Sequence, residues 1–139
     1  MDGLREIILK RDTTYSPLAL YYMIDNNLIS SVEEVNEYFD ILINETDLKE
    51  EIRLLNIYKK GLYNSNFSNE DKLLEILKPL LDKDNEWKSH SQYLLAEFYY
   101  FKKNMAKAKE FYEKILLDKN LIDPIKLEVQ KRLQRDFSD

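Results

Sequence analysis

The sequence predicts an all-α protein, a stack of about three antiparallel helix pairs closed by one C-terminal helix. Gly and Pro number only 2 and 3 among 139 residues, which leaves few places for tight hairpins or long loops. Apolar residues recur at spacings of three and four along the chain, and no useful stretch alternates with period two, so no strand is expected. Between the apolar stripes stand Ser, Asn and Asp followed by Glu or Pro, the residues that open helices.

Leu4, Ile7 and Ile8 mark a short first helix near 3–11, which either packs on the next helix or is the cut end of a longer protein. Ser16-Pro17 places a capping hydroxyl before Pro at the first helical position, where the missing N–H costs nothing, and opens a helix near 16–27. Ser31 and Glu34 fit a capping box opening 31–44, whose stripe is Val32, Val35, Phe39 and Leu42. Asp47 and Glu50 repeat that start more weakly for 47–64, with Leu48, Ile52, Leu55 and Leu62 on one face. Gly61 either admits close packing there or ends the helix early, and Asn64-Ser65-Asn66 reads as the most flexible internal loop.

Glu70 and Asp71 suit the positive end of a helix over 69–82, and Pro79 inside it predicts a kink. Helices near 86–103 and 104–118 meet across a polar turn. Leu95, Ala96 and Tyr99 on the first arm face Ala108, Tyr112 and Ile115 on the second, and the small residues allow close approach. Asp123-Pro124 opens a last helix over 123–136, with Ile125, Val129, Leu133 and then Phe137 on its stripe. The pairs are 16–44, 47–82 and 86–118, within a single domain spanning 1–139. Their second members begin near Ser31, Asn69 and Asn104, a spacing of roughly 35–38 residues that fits a helical repeat.

The composition argues against several chemistries. The net charge is -5, from 26 acidic and 21 basic residues, where a nucleic-acid binder would show a basic excess. Lys102, Lys103, Lys107 and Lys109 are the best basic cluster, but Glu97, Glu110 and Glu113 interrupt it and make it a solvated helix face. There is no Cys, so no disulfide or thiolate chemistry arises. The one His, His90, lacks any motif that would supply catalytic partners. Adjacent acids such as Glu33-Glu34 point about 100° apart on a helix and do not converge. Asp82-Lys83-Asp84 lacks the Gly and distal Glu of a calcium loop, and no Gly-rich phosphate loop exists. No catalytic residue, cofactor or metal is therefore expected. No apolar run approaches the ~20 residues that span a bilayer, and the first dozen residues do not form a signal peptide.

Leu95, Ala96, Tyr99, Ala108, Tyr112 and Ile115 resemble the tetratricopeptide signature, with small residues at Ala96 and Ala108 and an aromatic at Tyr112. The family's early Trp falls at Gln92, with Trp87 one turn before, and Pro124 comes later than its closing Pro. The best-formed repeat is 86–118, the two earlier pairs match by length and stripe only, and 123–136 is a capping helix. The resemblance implies a right-handed, TPR-like stack.

A narrower resemblance covers more of the chain. Tyr15 to Ala19, Leu77-Lys78-Pro79-Leu80, Trp87 followed by Leu95-Ala96, and Asp123-Pro124 look like the periplasmic domain of YfgM-like ancillary subunits of the SecYEG translocon. It implies a soluble extracytoplasmic domain on the inner membrane, held by an anchor upstream of Met1. The implied partners are SecYEG or periplasmic chaperones.

The aromatic-rich arm Tyr93 to Phe101 is apolar nearly all round, the mark of a central buried helix. On the tetratricopeptide pattern, however, Tyr93, Glu97, Tyr100 and Phe101 would face a partner-binding groove. The functional expectation is a non-catalytic scaffold for protein or peptide partners. The alternative is a homo-oligomerising helical-repeat protein exposing Ile7, Ile8 and the first long helix, or a cytoplasmic TPR adaptor.

Overall fold

The computed structural model describes residues 2–118 and 123–137. Among them are eight α-helices and no strand: α1 (Asp2–Leu9), α2 (Tyr15–Asp25), α3 (Val32–Asp40), α4 (Glu50–Asn64), α5 (Glu70–Leu81), α6 (Lys88–Phe101), α7 (Met105–Leu116) and α8 (Asp123–Phe137). The protein is all-α, and each helix lies where the apolar spacing places one. The chain forms two compact units, Met1–Ile76 and Leu77–Asp139, and the division falls within α5.

The N-terminal unit packs α1, α2 and α3 around one apolar cluster. Ile8, Leu20, Met23, Val35, Phe39 and Leu42 are its fully or nearly fully buried members, with Leu4 and Ile7 packed against it. The exposed apolar end expected at Ile7 and Ile8 is therefore corrected: these side chains close the core, because α1 lies along α2.

The helix starts are refined residue by residue. Ser16 does not cap α2 from outside but sits in its first turn, where its hydroxyl donates to the Ile7 carbonyl at 2.6 Å. Asp12 takes over the capping role, accepting from the Thr14 and Tyr15 amides at 2.9 and 2.6 Å. Ser31 caps α3 as its sequence predicts, accepting from the Glu34 amide at 3.1 Å. The Glu34 carboxylate goes elsewhere, accepting from Arg5 Nε at 2.6 Å and from the Tyr38 hydroxyl at 2.7 Å. These bonds hold the Glu34 carboxyl below its usual range, and they fasten α1 to α3. Asp47 caps nothing, since α4 begins three residues on, after Lys49, without a side-chain cap.

The predicted helix 31–44 ends as α-helix at Asp40 and continues as a π-helical turn, Ile41–Glu45. Thr46 closes that turn by donating its hydroxyl to the Ile41 carbonyl at 2.8 Å. Gly61 does not end α4, which runs on to Asn64. Asn64 itself is fully buried, so the segment expected to be the loosest starts from an anchored residue. Its Nδ2 donates to Asn36 Oδ1 at 2.7 Å and the Asn36 amide returns the bond at 3.0 Å, while Ser68 donates to its oxygen at 3.0 Å. A second polar tie joins α2 to α4, where the Tyr21 hydroxyl donates to Asn56 Oδ1 at 2.6 Å.

In the C-terminal unit, α6 and α7 pack as a helical hairpin. Ala96 and Ala108 are both fully buried, as are Leu95, Tyr112 and Ile115. Tyr99 is buried and stacks on Phe111, with ring centroids 5.6 Å apart. Asn104 caps α7 by accepting from the Lys107 amide at 3.3 Å. Helix α8 lies against α7 and buries Val129 completely.

Candidate functional site

The sequence nominates one face of α6, Tyr93, Glu97, Tyr100 and Phe101, and the structure gives these residues two different surroundings. Arg132 of α8 donates through Nη2 to both Glu97 oxygens, at 3.1 and 3.3 Å. Its guanidinium also lies 4.4 Å from the Tyr100 ring centroid, a cation–π geometry. The Tyr100 hydroxyl donates to Asp136 Oδ2 at 3.2 Å, and its ring meets Phe137 at 6.3 Å. Tyr93 lies 6.2 Å from Tyr112, which in turn meets Phe137 at 6.0 Å. The chain's own last helix thus engages Glu97 and Tyr100 directly and reaches Tyr93 through Tyr112. Phe101 alone stays open, at 73% exposure.

The Arg132–Glu97 pair is shielded, with side chains only 15% and 18% exposed. Ion pairs of this kind gain from low dielectric but lose hydration, so they fix geometry more than they add stability. Sequence reading places Val129 and Leu133 on the docking stripe but passes over Arg132 and Asp136. Their signal is the i,i+4 spacing of opposite charges beside that stripe.

The cluster shifts its tyrosines upward. Burial, and then the Glu97 carboxylate, push the Tyr93 phenol up to about 12, and burial with Glu97 moves Tyr112 in the same direction. An unfolded tyrosine ionises near ~10. Above that pH the unfolded chain holds fewer protons than the folded one, so stability is complete below about pH 10 and falls toward about pH 12. The urea midpoint read by the single tryptophan, Trp87, should drop over this window. A Tyr93→Phe, Tyr112→Phe variant should show a flatter profile.

Among the described residues, no group of three or more His, Cys, Asp or Glu is placed to hold a metal ion. His90 packs its ring on Trp87 at 5.0 Å, and its Nδ1 lies 3.3 Å from the Glu86 carbonyl. An open groove of about 760 Å³ in the N-terminal unit is lined by Glu33, Asn36, Glu37, Asp40, Phe67 and Lys72. Its Asp40 is already paired with Lys60 at 2.8 Å.

A third surface lies on α2. Tyr15, Leu18 and Tyr22, at spacings of three and four, are 65%, 55% and 56% exposed. Three large apolar side chains on one helix face form a stripe that the N-terminal core does not use. The sequence expectation of an exposed first long helix anticipates this stripe in part, since Ala19, Leu20 and Met23 on the opposite face are buried.

No described helix is long and apolar enough to cross a membrane. Compared with protein-family models, curated proteins and solved structures, the chain matches none.

Proposed function

We propose that the chain is a non-catalytic, protein-binding helical scaffold. The observation that carries this reading is the outward stripe Tyr15, Leu18 and Tyr22 on α2. Exposed apolar side chains grouped on one face mark interaction sites, whereas scattered ones need no explanation. Tyrosines suit such a face because each joins a large ring to a hydroxyl at little entropic cost. The α6–α7 hairpin, with Ala96 and Ala108 both buried, supports the finer reading of a right-handed, TPR-like stack capped by α8. The finest reading is the extracytoplasmic part of a membrane-anchored translocon accessory, binding SecYEG or periplasmic chaperones. It rests on the sequence resemblance alone.

Leu18→Lys places a charge in the middle of the stripe without touching the core. Far-UV circular dichroism should be unchanged, because surface substitutions of this kind stay within about 0.5 kcal/mol. Binding to SecYEG in nanodiscs, measured by interferometry, should weaken by about tenfold, the effect of losing one central apolar anchor. Equal binding by both proteins removes the stripe from the interface, and no binding by either removes the translocon reading. The homo-oligomer alternative is favoured by the arrangement of the stripe, with a Tyr on each side of Leu18. Sedimentation of the wild-type chain over a concentration series tests it, and a monomer throughout excludes it.

A further inference from the structure

The α6–α7 turn carries a feature that neither the hairpin packing nor the α2 stripe requires. From Phe98 to Lys109 the sequence FYYFKKNMAKAK holds four Lys and no acid, within a chain of net charge -5. Every residue from Phe101 to Lys107 is exposed, including the large apolar side chains Phe101 and Met105. The turn is nevertheless well fixed. The Lys103 amide donates to the Tyr100 carbonyl at 3.0 Å and the Asn104 amide to the Tyr99 carbonyl at 2.9 Å. Lys103 takes the left-handed conformation that closes the helix, with φ 65°.

The acids flanking this turn are already engaged. Glu97 is held by Arg132, Glu110 lies 3.3 Å from Lys114, and Glu113 lies 3.9 Å from Lys109. Among the described residues, no carboxylate pairs with Lys102 or Lys103. The Lys102 and Lys107 ammonium groups lie 5.6 and 5.3 Å from the Phe98 and Tyr99 ring centroids, so their stems run along the apolar hairpin.

We propose that this turn contacts the surface of an anionic phospholipid bilayer. Phe101 and Met105 enter the boundary between headgroups and acyl chains, while Lys102 and Lys103 meet the lipid phosphates. Paired apolar and cationic side chains are the combination that interfacial binding uses. A bilayer fits the turn because seven consecutive exposed residues set two large apolar side chains, Phe101 and Met105, beside Lys102 and Lys103. The overall negative charge does not prevent this contact. Screening limits exposed charges to about 8 Å at physiological salt, so the bilayer senses the local lysines rather than the whole chain.

The test is flotation of the full chain with vesicles of phosphatidylcholine alone and of phosphatidylcholine mixed with phosphatidylglycerol. The expected result is flotation with the mixed vesicles only, diminished by added salt. Lys102→Gln with Lys103→Asn should reduce it by about thirtyfold, about fivefold for each lysine near an anionic surface, and Asn tolerates the left-handed backbone at that position. Phe101→Ala should also reduce it. Circular dichroism confirms that each variant is helical. Equal flotation with both vesicle types, or undiminished flotation of the lysine or Phe101 variants, overturns the proposal. Binding to polyglutamate without flotation overturns it in favour of an acidic protein partner.

Discussion

Tyr112→Ala should destabilise the C-terminal unit by about 3–5 kcal/mol, the range for truncating a large buried aromatic. Tyr112 is fully buried and its ring meets both Tyr93 and Phe137, so the cavity would open between α6, α7 and α8 at once. Tyr112→Phe should behave differently. The hydroxyl is buried and at most weakly bonded to the Glu97 carboxylate, so its removal relieves a desolvated polar group and should be neutral or stabilising by about 1 kcal/mol. Urea denaturation followed by Trp87 fluorescence separates the two outcomes, because the only tryptophan lies in this unit. A large loss for Tyr112→Phe would show that the hydroxyl has a partner in solution.

Asn64→Leu should cost the N-terminal unit about 2–3 kcal/mol, because it strands polar groups that now satisfy one another. The fully buried Asn64 exchanges two amide bonds with Asn36, donates to the Lys60 carbonyl at 2.7 Å, and accepts from Ser68. Changing Asn36 to Leu as well removes both halves of the reciprocal pair, and more than half of the lost stability should return. A double-mutant cycle by chemical denaturation, read by far-UV circular dichroism, measures this coupling. Additive losses would show that the amide pair is not what joins α3 to α4.

The helices were legible because their signal is periodic and local. Val35, Phe39 and Leu42, or Ala108, Tyr112 and Ile115, lie three or four apart, and that spacing alone assigns each to a buried face. Capping was partly legible. Ser31 and Asn104 act at the positions their type predicts, whereas Ser16 was drawn inward by the Ile7 carbonyl and left the start of α2 to Asp12. The π-helical turn at Ile41–Glu45 has no composition of its own, and it follows from where Thr46 finds an acceptor. The candidate site was less legible for the same reason. Whether Tyr93, Glu97 and Tyr100 meet a partner or the chain itself depends on Arg132 and Asp136, more than thirty residues away. No local pattern connects them.

The docking of α8 has a consequence for any ligand of the α6 face. A helix of the same chain acts as an intramolecular competitor whose strength does not depend on expression level. An incoming helix with equal contacts would lose to it, and its observed affinity is reduced in proportion to how fully α8 is docked. Any ligand of the Tyr93–Glu97–Tyr100 face would have to displace Arg132 from Glu97 and from the Tyr100 ring.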